Sequence, residues 1–100
     1  MRSRKRASVP KPLPNAQFRA INKALSDPQR YDILQLIAGK KVCTCVELRE
    51  RCPITPATLS HHLKELESAG LITIARKGKF ALPSFQREVW KTYLAQLAKL

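Results

Sequence analysis

The sequence predicts a mainly helical domain with one small β-hairpin, in the order helix, helix, short helix, helix, hairpin, helix. Three observations predict it. Apolar residues recur at helical spacing in five stretches between residues 15 and 100. Start and stop signals bracket most of these stretches. Between Gly70 and Pro83 the pattern changes to β-branched and apolar, interrupted by a basic turn that contains a glycine.

Each element has its own local reason. Phe18, Ile21 and Leu25 lie at i, i+3 and i+7, which makes 15–25 a helix. Asp27 caps a second helix, Pro28 opens it, and Gly39 closes it. Lys40 and Lys41 make a short basic turn. Thr44-Cys45-Val46-Glu47 has the capping-box form, so a short third helix runs to about Arg51, and Pro53 stops it. The fourth helix is the most completely specified. Thr55 is its N-cap, and Pro56 takes the first helical position, where no N–H is needed. Leu59, Leu63 and Leu66 form one apolar stripe, and Gly70 suits the left-handed position after the end. Leu71–Ala75 and Phe80–Leu82 make the hairpin around Arg76-Lys77-Gly78-Lys79, and Pro83 ends it. Ser84 caps a last helix carrying Phe85, Val89, Trp90, Tyr93, Leu94, Leu97 and Leu100. The gap between the third and fourth helices has the spacing of a helix-turn-helix, and the hairpin that follows makes it a winged one.

One hundred residues make one domain, or a domain plus a tail; the expected division is a disordered basic arm at 1–13 and a folded domain at 14–100. The net charge is +12, from 19 basic and 7 acidic side chains. Arg2, Arg4, Lys5, Arg6 and Lys11 fall in the arm, yet the remainder is still basic, so a polyanion partner is expected. The basic start resembles the first part of a signal peptide, but Pro10, Pro12 and Pro14 interrupt any apolar continuation. No run approaches transmembrane length, and three cysteines do not make a disulfide framework, so the expectation is a cytoplasmic protein that does not engage a membrane. No Gly-rich phosphate loop, carboxylate pair or Cys-His arrangement supports catalysis. An enzyme is not expected, and neither a cofactor nor a metal is assigned.

The fourth helix carries the functional expectation. At about 100° per residue, Ala57, His61, Lys64 and Ser68 lie opposite the leucine stripe, with Ser60 at the flank. No acid sits on that strip, which suits entry into a groove of double-stranded DNA. Thr55, Thr58 and the helix N-terminus are expected to anchor phosphate. Ala57, Ser60 and His61 are the candidates for base edges, and Lys64 for the backbone. Arg76, Lys77 and Lys79 at the hairpin tip are expected along flanking phosphate or the minor groove. His62 sits beside the stripe and is expected to be a half-buried packing residue. The last helix is too apolar for one small core, so part of it is expected to pair with a second copy, as a homodimer.

Two segments resemble the ArsR/SmtB family of bacterial repressors. Leu25-Ser26-Asp27-Pro28-Gln29-Arg30-Tyr31-Asp32-Ile33-Leu34 is similar to the second-helix signature, and Ser60-His61-His62-Leu63-Lys64-Glu65-Leu66-Glu67-Ser68-Ala69-Gly70-Leu71-Ile72 to the recognition helix entering the wing. The likeness spans residues 15–97. It implies a sequence-specific homodimeric repressor that reads an inverted-repeat operator, with its first and last helices forming the dimer interface; Phe18, Ile21, Val89, Trp90, Tyr93 and Leu97 are the candidates. It also implies a small inducer, which this chain does not identify.

The cysteines are out of step with that family. Its three sensing thiols would fall at Thr44, Val46 and Arg49, whereas this chain carries Cys43 and Cys45, where the family has apolar residues. Cys45, Leu48 and Cys52 form a core-facing stripe. On a helix Cys45 and Cys52 stand roughly 10 Å apart, too far to share one ion. The last helix has no His, Asp or Cys for the zinc site of other members. Structural thiols are therefore expected. Two alternatives remain: a thiol-based metal or redox sensor using Cys43 and Cys45, and a non-specific architectural DNA-binding protein.

Overall fold

The local signals resolve into five helices and a two-stranded antiparallel ribbon in a computed structural model that describes residues 11–39 and 44–100. Helix α1 is Asn15–Leu25, α2 Pro28–Ala38, α3 Cys45–Arg51 and α4 Pro56–Ser68. Strands β1 (Ile72–Lys77) and β2 (Phe80–Phe85) follow, and α5 is Arg87–Ala98. Most of the basic arm, the Lys40-Lys41 turn and Cys43 lie outside the described residues. Leu13, which the sequence reading leaves in the arm, packs half-buried against the core, and its N–H donates to Gln96 Oε1 at 2.7 Å.

The caps behave as their residue types require. Asp27 accepts from the Arg30 N–H at 3.0 Å. Thr44 and Glu47 form both halves of a capping box. Gly70 has φ +79°, a backbone conformation that favours glycine, and a Cβ there would also push the Gln17 side-chain amide aside. Gln17 in turn donates to the Ala69 carbonyl at 3.1 Å, tying α1 to the end of α4.

The core lies where α1, α2, α3, α4 and the base of the hairpin meet. Ile21, Ile33, Ile37, Leu48, Leu66, Leu71 and Ile72 are its fully buried large side chains. Helix α5 closes one side through Tyr93, whose hydroxyl donates to Asn22 Oδ1 and whose ring lies 5.3 Å from that of Phe18, centroid to centroid.

The hairpin departs from the sequence reading. Pro83 does not end it and Ser84 does not cap the last helix. Both lie within β2, Pro83 opposite Ile74 and Ser84 opposite Thr73. A two-stranded ribbon has two outer edges, and proline is tolerated on an edge where its missing N–H faces away from the partner. Helix α5 therefore starts three residues after Ser84, behind Gln86, with no side-chain cap. At the other end Lys77 pairs with Phe80, leaving Gly78 and Lys79 as a two-residue turn. Gly78 has φ +61°, which the tight hairpin turn needs at its first central position.

Candidate nucleic-acid interface

Helix α4 is divided lengthwise. Leu59, Leu63 and Leu66 are buried, while Ala57, Ser60, His61, Lys64 and Ser68 are exposed. The leucines bury the inner face against α1 and α2, so the outer strip is held clear of the protein body. Its start is more fully satisfied than the sequence suggests. Thr55 Oγ1 accepts the Thr58 N–H at 3.1 Å and donates to Thr58 Oγ1 at 2.9 Å. The Leu59 N–H goes to the Thr55 carbonyl, and Pro56 has no N–H. Only the Ala57 N–H is left without a partner among the described residues at this end, and of the two hydroxyls only that of Thr58 keeps its proton free.

His62 is a different kind of residue from its neighbour. It is buried, not half-buried, and forms part of a polar network that sequence reading missed. Arg30, itself buried, donates through Nε to His62 Nδ1 at 3.3 Å, and Nη1 reaches the Ala24 carbonyl at 3.5 Å. Because Nδ1 accepts, Nε2 carries the proton and donates to Gln29 Oε1 at 2.9 Å. Burial lowers the His62 pKa, with Arg30 and His61 adding to the effect and Asp27 opposing it. Asp27, 3.9 Å from Arg30 Nη2, is held below the usual carboxylate range, first by the Arg30 N–H it accepts. The network locks α4 onto the start of α2. The signal for it was present in Asp27-Pro28-Gln29-Arg30, but the helical spacing of His62 does not reveal a partner 32 residues away.

The hairpin splits its three cations. Arg76 shares the inward face of β1 with Ile72 and Ile74, and with Lys79 and Lys64 it lines a cavity of about 390 Å³ between α3, α4 and the hairpin. Lys77 alternates to the opposite face of the ribbon. Arg49, on α3, also faces the cavity; the sequence reading did not single it out. Cys45 lines the same cavity half-buried, and Cys52 is buried at the end of α3. Burial pushes both thiols up, against a pull from Arg76 on Cys45.

Two dimer candidates need correcting. Ile21 and Tyr93 are 0% and 4% exposed within the single chain: Ile21 belongs to the core, Tyr93 packs on α1 through Asn22 and Phe18, and neither offers a contact surface. Phe18, Val89, Trp90 and Leu97 are half-buried, and Leu94, not among the candidates, is 45% exposed.

Comparison with known proteins agrees with this architecture. Residues 25–75, running from the end of α1 into β1, match the family model described as a helix-turn-helix domain. An uncharacterised HTH-type transcriptional regulator of Bacillus subtilis, YceK, is 37% identical over 81 residues, covering 78% of this chain and 80% of its own. The arsenical resistance operon repressor of Staphylococcus xylosus is 39% identical over 62 residues, and the match spans 62% of this chain and 59% of that one. This chain belongs to the ArsR family of helix-turn-helix transcriptional regulators. That family is one of DNA-binding regulators and not a class of enzymes. The fold of this ArsR-family regulator is also that of a homodimeric winged helix-turn-helix DNA-binding domain from Mycobacterium bovis, with a TM-score of 0.70 and 24% identity over 99% of this chain and 87% of the other. Among the described residues, no helix of the regulator is long and apolar enough to cross a membrane.

Proposed function

We propose that this regulator is a homodimeric repressor in the cytoplasm that reads an inverted-repeat operator in double-stranded DNA. It acts by binding, without a catalytic step or a cofactor. The observation that carries the reading is the lengthwise split of α4 into a buried leucine stripe and an exposed strip of Ala57, Ser60, His61 and Lys64 whose nearest exposed acid, Glu67, falls in the last turn. Ala57, Ser60 and His61 supply base-edge contacts in the major groove: Ala57 a methyl against thymine, Ser60 a hydroxyl, His61 a ring nitrogen. The Ala57 N–H, the Thr58 hydroxyl and Lys64 hold phosphate, while Thr55 orders the turn that presents them. Lys77 and Lys79 sit against flanking backbone, and Arg76 reaches it from the inner side of the hairpin. The basic arm adds affinity without sequence preference.

Two recognition helices enter successive major grooves only when two copies are held by a two-fold axis. The half-buried apolar surface of α1 and α5, from Phe18, Val89, Trp90 and Leu97 together with Leu94, supports pairing there, as does the homodimeric state of the M. bovis relative. The test is recovery of bound genomic fragments followed by footprinting. The expected result is protection of one inverted repeat whose half-sites are about one helical turn apart. Protection spread evenly, with no preferred site, would instead leave an architectural DNA-binding protein.

A further inference from the structure

DNA contact accounts for only part of the lining of the cavity between α3, α4 and the hairpin. Four cations face it, Arg49, Lys64, Arg76 and Lys79, against the single carboxylate of Glu67. Among the described residues, none of the four is held in an ion pair. Phosphate would satisfy these charges. It would not satisfy Val46 and Phe80, which line the same cavity and remain 50% and 48% exposed. Leu63 and Ile74 carry the apolar lining inward. A concavity of about 390 Å³ with an apolar wall and a few convergent charges is built like a small-molecule site.

We propose that this cavity binds a small amphipathic organic anion, an apolar body carrying one carboxylate or sulfonate, and that its occupation releases DNA. The release step rests on the functional reading above. The apolar body lies against Val46 and Phe80, and the acidic head pairs with Lys64, Arg76 and Lys79. Ser60 and Lys64 stand on the cavity wall and on the outer strip of α4 alike. An anion bound here takes cations away from phosphate and sets negative charge against the duplex. The Cys45 thiol is a half-buried part of the lining, its pKa raised by burial, and the binding proposed is non-covalent.

The test uses the full chain with 8-anilinonaphthalene-1-sulfonate as the probe and inorganic sulfate at equal ionic strength as the control. Saturable one-to-one binding is expected, weakened about tenfold in Phe80→Ser and in Val46→Ser, two variants on separate elements. Operator affinity without probe should stay within about twofold of the parent in both variants. Saturating probe should weaken operator binding about fivefold or more in the parent and much less in the variants, and sulfate should not do so. Absence of saturable binding, parental probe affinity retained in both variants, or equal displacement by sulfate would overturn the site. Direct probe binding is read without DNA, so a chain that fails to find an operator and a cavity that fails to bind the anion give different results.

Discussion

Helix α4 buries Leu59, Leu63 and Leu66, is capped by Thr55, and ends at a glycine that no other residue can replace without strain. Helix α5 buries only Thr92 and Tyr93, has no side-chain cap, and leaves Leu94 45% exposed beside the half-buried Val89, Trp90 and Leu97. The first helix is positioned entirely by its own chain, through the leucines and the His62–Arg30 network. The second has apolar surface beyond what one chain covers. The surface proposed for DNA is therefore preorganised before any partner arrives, whereas the surface proposed for a second copy would be completed only by pairing.

The sharpest way to test that contrast is Leu66→Ala. Leu66 is fully buried where α4 meets the core, so the change should cost about 2–5 kcal/mol of stability, read by denaturant unfolding. A cost near zero would mean α4 is not anchored as described. Leu94→Glu probes the other helix. It should leave the helical content of the chain unchanged by circular dichroism and weaken self-association by about 2 kcal/mol in sedimentation equilibrium. Unaltered sedimentation would mean that this face of α5 is not the pairing surface.

His62→Ala should cost about 1–3 kcal/mol, because it leaves Nε of the buried Arg30 guanidinium without its acceptor. The same histidine gives the stability a pH dependence. Its folded pKa lies below the ordinary value of 6.5, so the unfolded chain binds the proton more readily than the folded one. The network's contribution is complete above that value and is lost as pH falls below it toward the folded pKa. Asp27, also lowered, adds loss of the same sign only below its ordinary value of 3.8. Thermal unfolding from pH 7.5 to 5 should show the decline in the parent and a flatter profile in His62→Gln. A parallel decline in both would remove His62 as the cause.

Its neighbour should behave in the opposite way. His61→Ala should leave stability within about 0.5 kcal/mol and weaken operator binding by about 1–3 kcal/mol, with relaxed preference at one base step in a competition assay. The smallest effect is expected from Lys77→Ala. It should weaken all DNA sequences alike and reduce the salt slope of binding by about 0.9 if one phosphate contact is lost.

How much was legible in advance differs between these residues. The strip of Ala57, Ser60, His61 and Lys64 follows from helical periodicity against three leucines, so its exposure could be read from spacing alone. The depth of His62 could not, since it depends on Arg30 and Gln29 reaching across from α2. Ile21 and Tyr93 look like pairing residues along their own helices, yet within one chain Ile21 is buried in the core and Tyr93 packs on α1. Pro83 reads as a strand end but lies in a strand with an unpaired edge, where its missing donor does no harm.

Order of elements, the caps of α2, α3 and α4, the left-handed glycine and the two-faced character of α4 were written into the chain itself, because they depend on interactions within a few residues. Two features emerged only when distant segments came together. These were the Arg30–His62–Gln29 lock and the cationic cavity bordered by Val46 and Phe80. Each joins residues far apart along the backbone, and no local periodicity carries the distance between them.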